Sequence, residues 1–136
     1  MEPPQQVAMW ARDAGVERDQ LCRYASDGRT DSARELTTEE VARALDAARA
    51  IARGEKKLTR APNGGWIVTA RNLVEISDEA IALLGRLTKR NANHAREFLA
   101  GLEWPENVHS TMWIGGLQRE PLLRVLGALR TEVRRR

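Results

Sequence analysis

The residues able to do covalent or metal chemistry are few, and their spacing is wrong for it. The histidines are His94 and His109. They form neither an HxxxH nor an HExxH pair, so a histidine-based zinc site is not expected. His94 reads as a helix surface or interface residue, and His109 as part of a loop or short helix. The single cysteine, Cys22, makes no internal disulfide and no cysteine zinc site. It lies in an amphipathic segment with no histidine beside it and reads as a buried structural thiol. Asp27, Asp31 and Glu35 could be drawn together as oxygen ligands. Arg29 and Arg34 lie among them, however, and the spacing is not that of an EF-hand. No GxxxxGK[ST], GxSxG or GxGxxG occurs, and Gly64-Gly65 and Gly115-Gly116 are isolated pairs that read as turns. The expectation is a protein that is not an enzyme and holds neither metal nor cofactor.

What remains is positive charge next to aromatic or polar side chains. Lys56, Lys57, Arg60 and Arg71 surround Trp66. Phosphate contacts need cations but little sequence code. Trp66 can stack on an unpaired base, or it can anchor its own segment as a core aromatic. The lysines can also serve as guards of an exposed strand edge. A second group, Arg86, Lys89 and Arg90 with Arg96, shares one side of a helix, and there can track a phosphate backbone or stay solvated. Asn91 and Asn93 lie beside it. Asn91 falls on the apolar seam, where it reads either as a contact to bases or sugars or as a buried polar group. Arg134–Arg136 suit the negative end of a final helix.

The elements that must carry these groups follow from periodicity and caps. The sequence predicts helices over about 5–14, after Pro3-Pro4 end a short tail, and over 17–26, separated by Gly15. DGRTDS (27–32) reads as a loop. Thr37-Thr38-Glu39-Glu40 is a capping box, with Leu36 and Val41 at the staple positions. Val41, Leu45, Ala48 and Ile51 continue it as a helix to about 53, and Gly54 can take the left-handed cap. Beyond Gly54 the helical period stops. KKLTRA, PNGG and WIVTA read as a β-hairpin over 56–70. One long helix is expected over about 78–100, starting at Ser77-Asp78-Glu79. A short helix is expected near Pro105, and a last helix from near Pro121. The fold class is mainly α: a compact helical bundle of five to six helices with one β-hairpin.

The totals fit one small domain built from two lobes, with enough apolar residues for a core. The bias of 19 Arg to 3 Lys is weak evidence for nucleic acid, since GC-rich coding produces it. Distribution says more. Residues 1–55 carry 8 basic and 11 acidic groups, and residues 56–136 carry 14 and 8. An acidic three-helix lobe (1–54) followed by a basic lobe (55–136) is therefore expected, the second meeting a polyanion. No apolar stretch approaches a membrane span. MEPPQQVAMW has no basic and apolar signal regions. A cytoplasmic protein without membrane partners is expected.

Residues 12–50 resemble a small helical module of phage and plasmid proteins, including single-strand-annealing recombinases of actinobacterial phages. The resemblance rests on a helix ending in glycine, a second helix, the link GRTDSARELT (Gly28–Thr37) and the helix EEVARALDAARA. It implies a mobile-element setting and work near nucleic acid. It brings no catalytic residues, and it does not extend to residues 55–136. The expected function is a nucleic-acid-binding accessory protein or small subunit of a phage, plasmid or defence nucleoprotein complex, with single-stranded DNA or RNA favoured over duplex. The likeness to small subunits of CRISPR effectors rests on size, charge and helicity. Other subunits of such a complex are the expected protein partners. The alternatives are a helical protein–protein adaptor docking through the acidic first lobe, the apolar stripe of the last helix and Trp104 and Trp113, and a winged-helix DNA reader built from helix 38–53 and the hairpin 56–70. The latter lacks a glycine turn at close helix–helix spacing.

Overall fold

The computed structural model describes residues 2–102, 114 and 117–135. The described chain is mainly helical with one two-stranded antiparallel hairpin. It divides into two compact units, Met1–Arg71 and Asn72–Arg136.

The first unit holds α1 (Pro3–Ala14), α2 (Arg18–Ala25), a single 3-10 turn (Ala33–Glu35), α3 (Thr38–Ala52), β1 (Lys56–Arg60) and β2 (Trp66–Ala70). Helix α1 begins at the prolines rather than after them. The first helical turn has no partner for its amides, so proline costs nothing there and its fixed φ suits the helix. Gly15 ends α1 at φ +72°. Helix α3 follows the expected cap: Glu40 N–H donates to Thr37 Oγ1 at 3.2 Å, and Thr37 N–H donates to Glu40 Oε1 at 2.8 Å. It ends in a Schellman motif, with Gly54 at φ +86°, Glu55 N–H on Ala50 O and Gly54 N–H on Ile51 O, both at 3.0 Å. Its buried face is mostly small, Ala44, Ala47, Ala48 and Ala50 beside Leu45 and Ile51, which lets α1 pack closely on it. Val7, Leu21 and Cys22, none of them exposed, complete this core.

The hairpin belongs to this unit. Its register pairs Lys56 with Ala70, Leu58 with Val68 and Arg60 with Trp66. The turn is a three-residue loop, Pro62-Asn63-Gly64, closed by Ala61 N–H on Gly65 O at 2.8 Å, with Gly64 at φ +88° supplying the left-handed residue. Strand β2 packs on α2 and β1 on α3, and Val68 joins the core. A lone hairpin is marginal in water, so it takes its stability from the helices before it. The break in the fold therefore falls at Arg71/Asn72 and not at Gly54, where charge and periodicity change in the sequence.

The second unit holds α4 (Leu73–Arg90), α5 (Ala92–Ala100) and α6 (Arg119–Arg135). Two expectations are corrected here. Helix α4 starts five residues before Asp78, because Asn72 is a true N-cap whose side chain accepts from Glu75 N–H at 2.9 Å. The expected single helix to residue 100 is two helices. Asn91 is extended (φ −162°, ψ 104°), and its Oδ1 accepts from His94 N–H at 3.1 Å, capping α5. An asparagine side chain competes with the backbone for such donors, which makes it a better cap than a helix interior residue. Asn91 is thus an exposed cap and not a buried polar contact.

Ile76, Ala80 and Leu87 of α4 pack with Ala95 of α5 and with Leu122, Val125, Leu126 and Leu129 of α6. Two partly buried polar pairs add register. Arg130 Nε and Nη2 donate to Glu79 at 2.6 and 2.8 Å, joining α4 to α6. His94 Nε2 lies 2.8 Å from Glu132 Oε1, joining α5 to α6. The short helix expected near Pro105, with His109, Trp104 and Trp113, lies outside the described residues.

Candidate nucleic-acid interface

The division into units changes the charge picture. Residues 1–71 carry 12 basic and 11 acidic groups, and residues 72–136 carry 10 and 8. The two units are nearly alike in net charge, and the contrast between acidic and basic halves disappears. What survives is local. Segment 56–71 has four cations and no carboxylate, and it sits on a helical body (1–55) with an excess of acids.

Strand alternation sorts the hairpin cations. Lys56, Leu58, Arg60, Trp66 and Val68 share one face, and Lys57, Thr59, Ile67 and Thr69 the other. Val68 packs into the core, so the first face is turned to α2 and α3. Lys56 and Arg60 flank that face and are exposed, whereas Lys57 is half-buried on the opposite face. Trp66 is half-buried under the Arg60 guanidinium, which lies 4.8 Å from its ring centroid. Arg60 also donates weakly to Gly64 O at 3.4 Å. Arg71 is half-buried and donates to Gly54 O at 3.4 Å, while its backbone N–H extends the strand pairing to Glu55 O at 2.9 Å. Its guanidinium thus lies at the carbonyl that follows the C-terminal end of α3.

The second group does not hold together as expected. Arg86, Lys89 and Arg90 are exposed along one side of α4. Arg96 is exposed on α5, and the break at Asn91 removes the continuous helix that was to align it with Lys89. Arg90 donates to Val133 O at 3.4 Å, a cation at the negative end of α6.

The structure adds residues that the sequence reading missed. A cleft of about 850 Å³ opens in the first unit between the hairpin and α2–α3. Arg23, Tyr24, Asp27, Arg43, Arg60 and Trp66 line it, with Val68 at its floor. The Arg43 guanidinium lies 4.4 Å from the centroid of Tyr24 and donates to Asp27 Oδ1 at 3.2 Å. The Tyr24 side chain, and after it Asp27, raise the Arg43 pKa above its ordinary value against the opposing effect of partial burial. Arg23 donates to Asp31 at 3.3 Å. No linear motif marks this cleft: Tyr24, Arg43 and Trp66 stand about twenty residues apart in turn and meet only through packing.

Among the described residues no group of three histidines, cysteines or carboxylates is placed to hold a metal ion, and no helix is long and apolar enough to cross a membrane. Comparison of the chain with protein-family models, curated proteins and solved structures gives no match in any of the three.

Proposed function

We propose that the chain is a non-enzymatic nucleic-acid-binding accessory protein, a small cytoplasmic subunit of a phage, plasmid or defence nucleoprotein complex. It contacts phosphates through the hairpin, with the exposed cations of α4 as a second contact. The observation that carries this reading is segment 56–71, with four cations, no carboxylate, and a half-buried tryptophan stacked under an arginine. Of the hairpin cations, Lys56 and Arg60 are exposed and Arg71 is engaged with α3, so the first two are the phosphate contacts. Single strands are favoured because a base must be unstacked before it can reach an aromatic platform.

The winged-helix alternative has the right element order, three helices followed by a hairpin. Yet α2 and α3 are joined by twelve residues (26–37), against the three or four of a helix-turn-helix. Backbone contact through the hairpin is therefore favoured over insertion of α3 into a groove.

Fluorescence-anisotropy titration of the whole chain with labelled single-stranded DNA, single-stranded RNA and duplex DNA, at about 50 and 200 mM salt, tests the proposal. Two phosphates neutralised by Lys56 and Arg60 on a single strand weaken binding by about sevenfold across that range. Reversal of both charges to glutamate abolishes it. No binding to any strand refutes the reading, and salt-insensitive binding to a protein partner puts the adaptor in its place.

A further inference from the structure

We propose that the cleft between the hairpin and α2–α3 receives one unpaired nucleotide of a strand, its base on the arginine–aromatic platforms and its phosphates on the edges of Arg43 and Arg60. This rests on the nucleic-acid reading and adds to it a specific seat and three residues, Arg23, Tyr24 and Arg43, that the basic hairpin alone does not include.

Three observations converge on that ligand class. First, the cleft contains two cation–π pairs, Arg43 over Tyr24 at 4.4 Å and Arg60 over Trp66 at 4.8 Å from the ring centroid. A guanidinium over a ring turns its N–H edge outward, and a phosphate takes that edge by replacing the present acceptors, Asp27 Oδ1 on Arg43 and Gly64 O on Arg60. Aromatic rings and guanidinium planes are also the surfaces on which unpaired bases stack. Second, the charge of the lining favours an anion. Of the residues lining the cleft, Arg23, Arg43 and Arg60 are cations and Asp27, whose side chain is 81% exposed, is the one carboxylate, with Arg23 also paired to Asp31 outside the lining. Asp27 holds the Arg43 edge at 3.2 Å and so occupies the place of a phosphate oxygen. An exposed ion pair of this kind is worth little and exchanges readily. Third, a cleft of about 850 Å³ has the size of a small-ligand site, with apolar Val68 and polar groups of the turn at Asn63–Gly65 along its wall. An acidic peptide satisfies the arginines but leaves both aromatic rings unused. A duplex keeps its base faces covered.

The test uses the intact chain and a thymidine hexanucleotide, read by tryptophan emission. Trp66→Phe separates the Trp66 signal from the other tryptophans. The expected result is quenching that disappears in Trp66→Phe, with affinity lowered about tenfold by Tyr24→Ala and by Arg43→Gln and restored by Tyr24→Phe, which keeps the ring. An abasic strand with the same number of phosphates binds about tenfold more weakly than the hexamer. Far-UV circular dichroism confirms that each variant is folded. Salt-sensitive binding of the hexamer with silent Trp66, and with Tyr24→Ala and Arg43→Gln unchanged, overturns the cleft while the proposed function stands. Failure of every strand to bind overturns both. Thymidine monophosphate binding as tightly as the hexamer, or displacement of the hexamer by a phosphopeptide at lower concentration, also overturns the assignment to a strand.

Discussion

Replacing Asn91 by alanine tests whether one side chain divides the second unit's helices. Asn91 is exposed and makes one identifiable contribution, accepting the His94 amide at 3.1 Å as the N-cap of α5. Alanine cannot accept, and its loss at such a cap costs about 1 kcal/mol. No cavity forms, because the side chain packs against no core, so that figure has no transfer or void contribution to add. In a unit of this size (Asn72–Arg136) 1 kcal/mol lowers the melting temperature by about 4–8 °C. Asn91→Asp keeps an acceptor at the positive end of α5 and melts with the wild type. Asn91→Gly loses only a few tenths of a kcal/mol. Thermal denaturation followed by far-UV circular dichroism reads all three. Asn91→Ala melting at or above the wild-type temperature, with increased helical signal, would refute the reasoning. Residues 73–100 would then be one helix that the asparagine merely interrupts. His94 gives a second readout, since it lies one turn after the cap and 2.8 Å from Glu132. Its ring resonances shift in Asn91→Ala if the cap positions the first turn of α5.

Glu40 accepts from the Thr37 amide and pairs with Arg29, and these contacts hold its carboxyl below the ordinary value of 4.5. The folded state therefore keeps Glu40 ionised where the unfolded chain protonates it. That stability is present above about pH 4.5 and is lost as pH falls through the depressed pKa, and Glu40→Gln flattens the acid limb of a denaturation profile. Cys22 is fully buried, and burial pushes its thiol up from 9.0, so an aromatic disulfide reagent at pH 8 labels the native chain at least roughly a hundredfold more slowly than the unfolded one. Leu129 is fully buried at the centre of the second core, and Leu129→Ala costs about 2–5 kcal/mol. A loss of that size approaches the whole stability of so small a unit, and chemical denaturation shows the second unit partly or wholly unfolded.

The sequence by itself determined the features whose cause lies within a few residues. The cap of α3 needs only Thr37 and Glu40, its end needs Gly54, and the hairpin turn needs Pro62-Asn63-Gly64, so all three were legible. The caps Asn72 and Asn91 obey the same local rule, but Ser77-Asp78-Glu79 offered a competing start that masked Asn72, and apolar periodicity through residues 78–100 masked Asn91. Only the tertiary structure decided which unit owns the hairpin, because that depends on Val68 entering a core built by α1–α3. The partners of Arg71 and Arg130, and the meeting of Tyr24, Arg43, Arg60 and Trp66, also depend on packing. The physical reason is range. Caps and turns are settled by hydrogen bonds between near neighbours, whereas a cleft is settled by which buried faces pair, and linear spacing records the faces without recording the pairing.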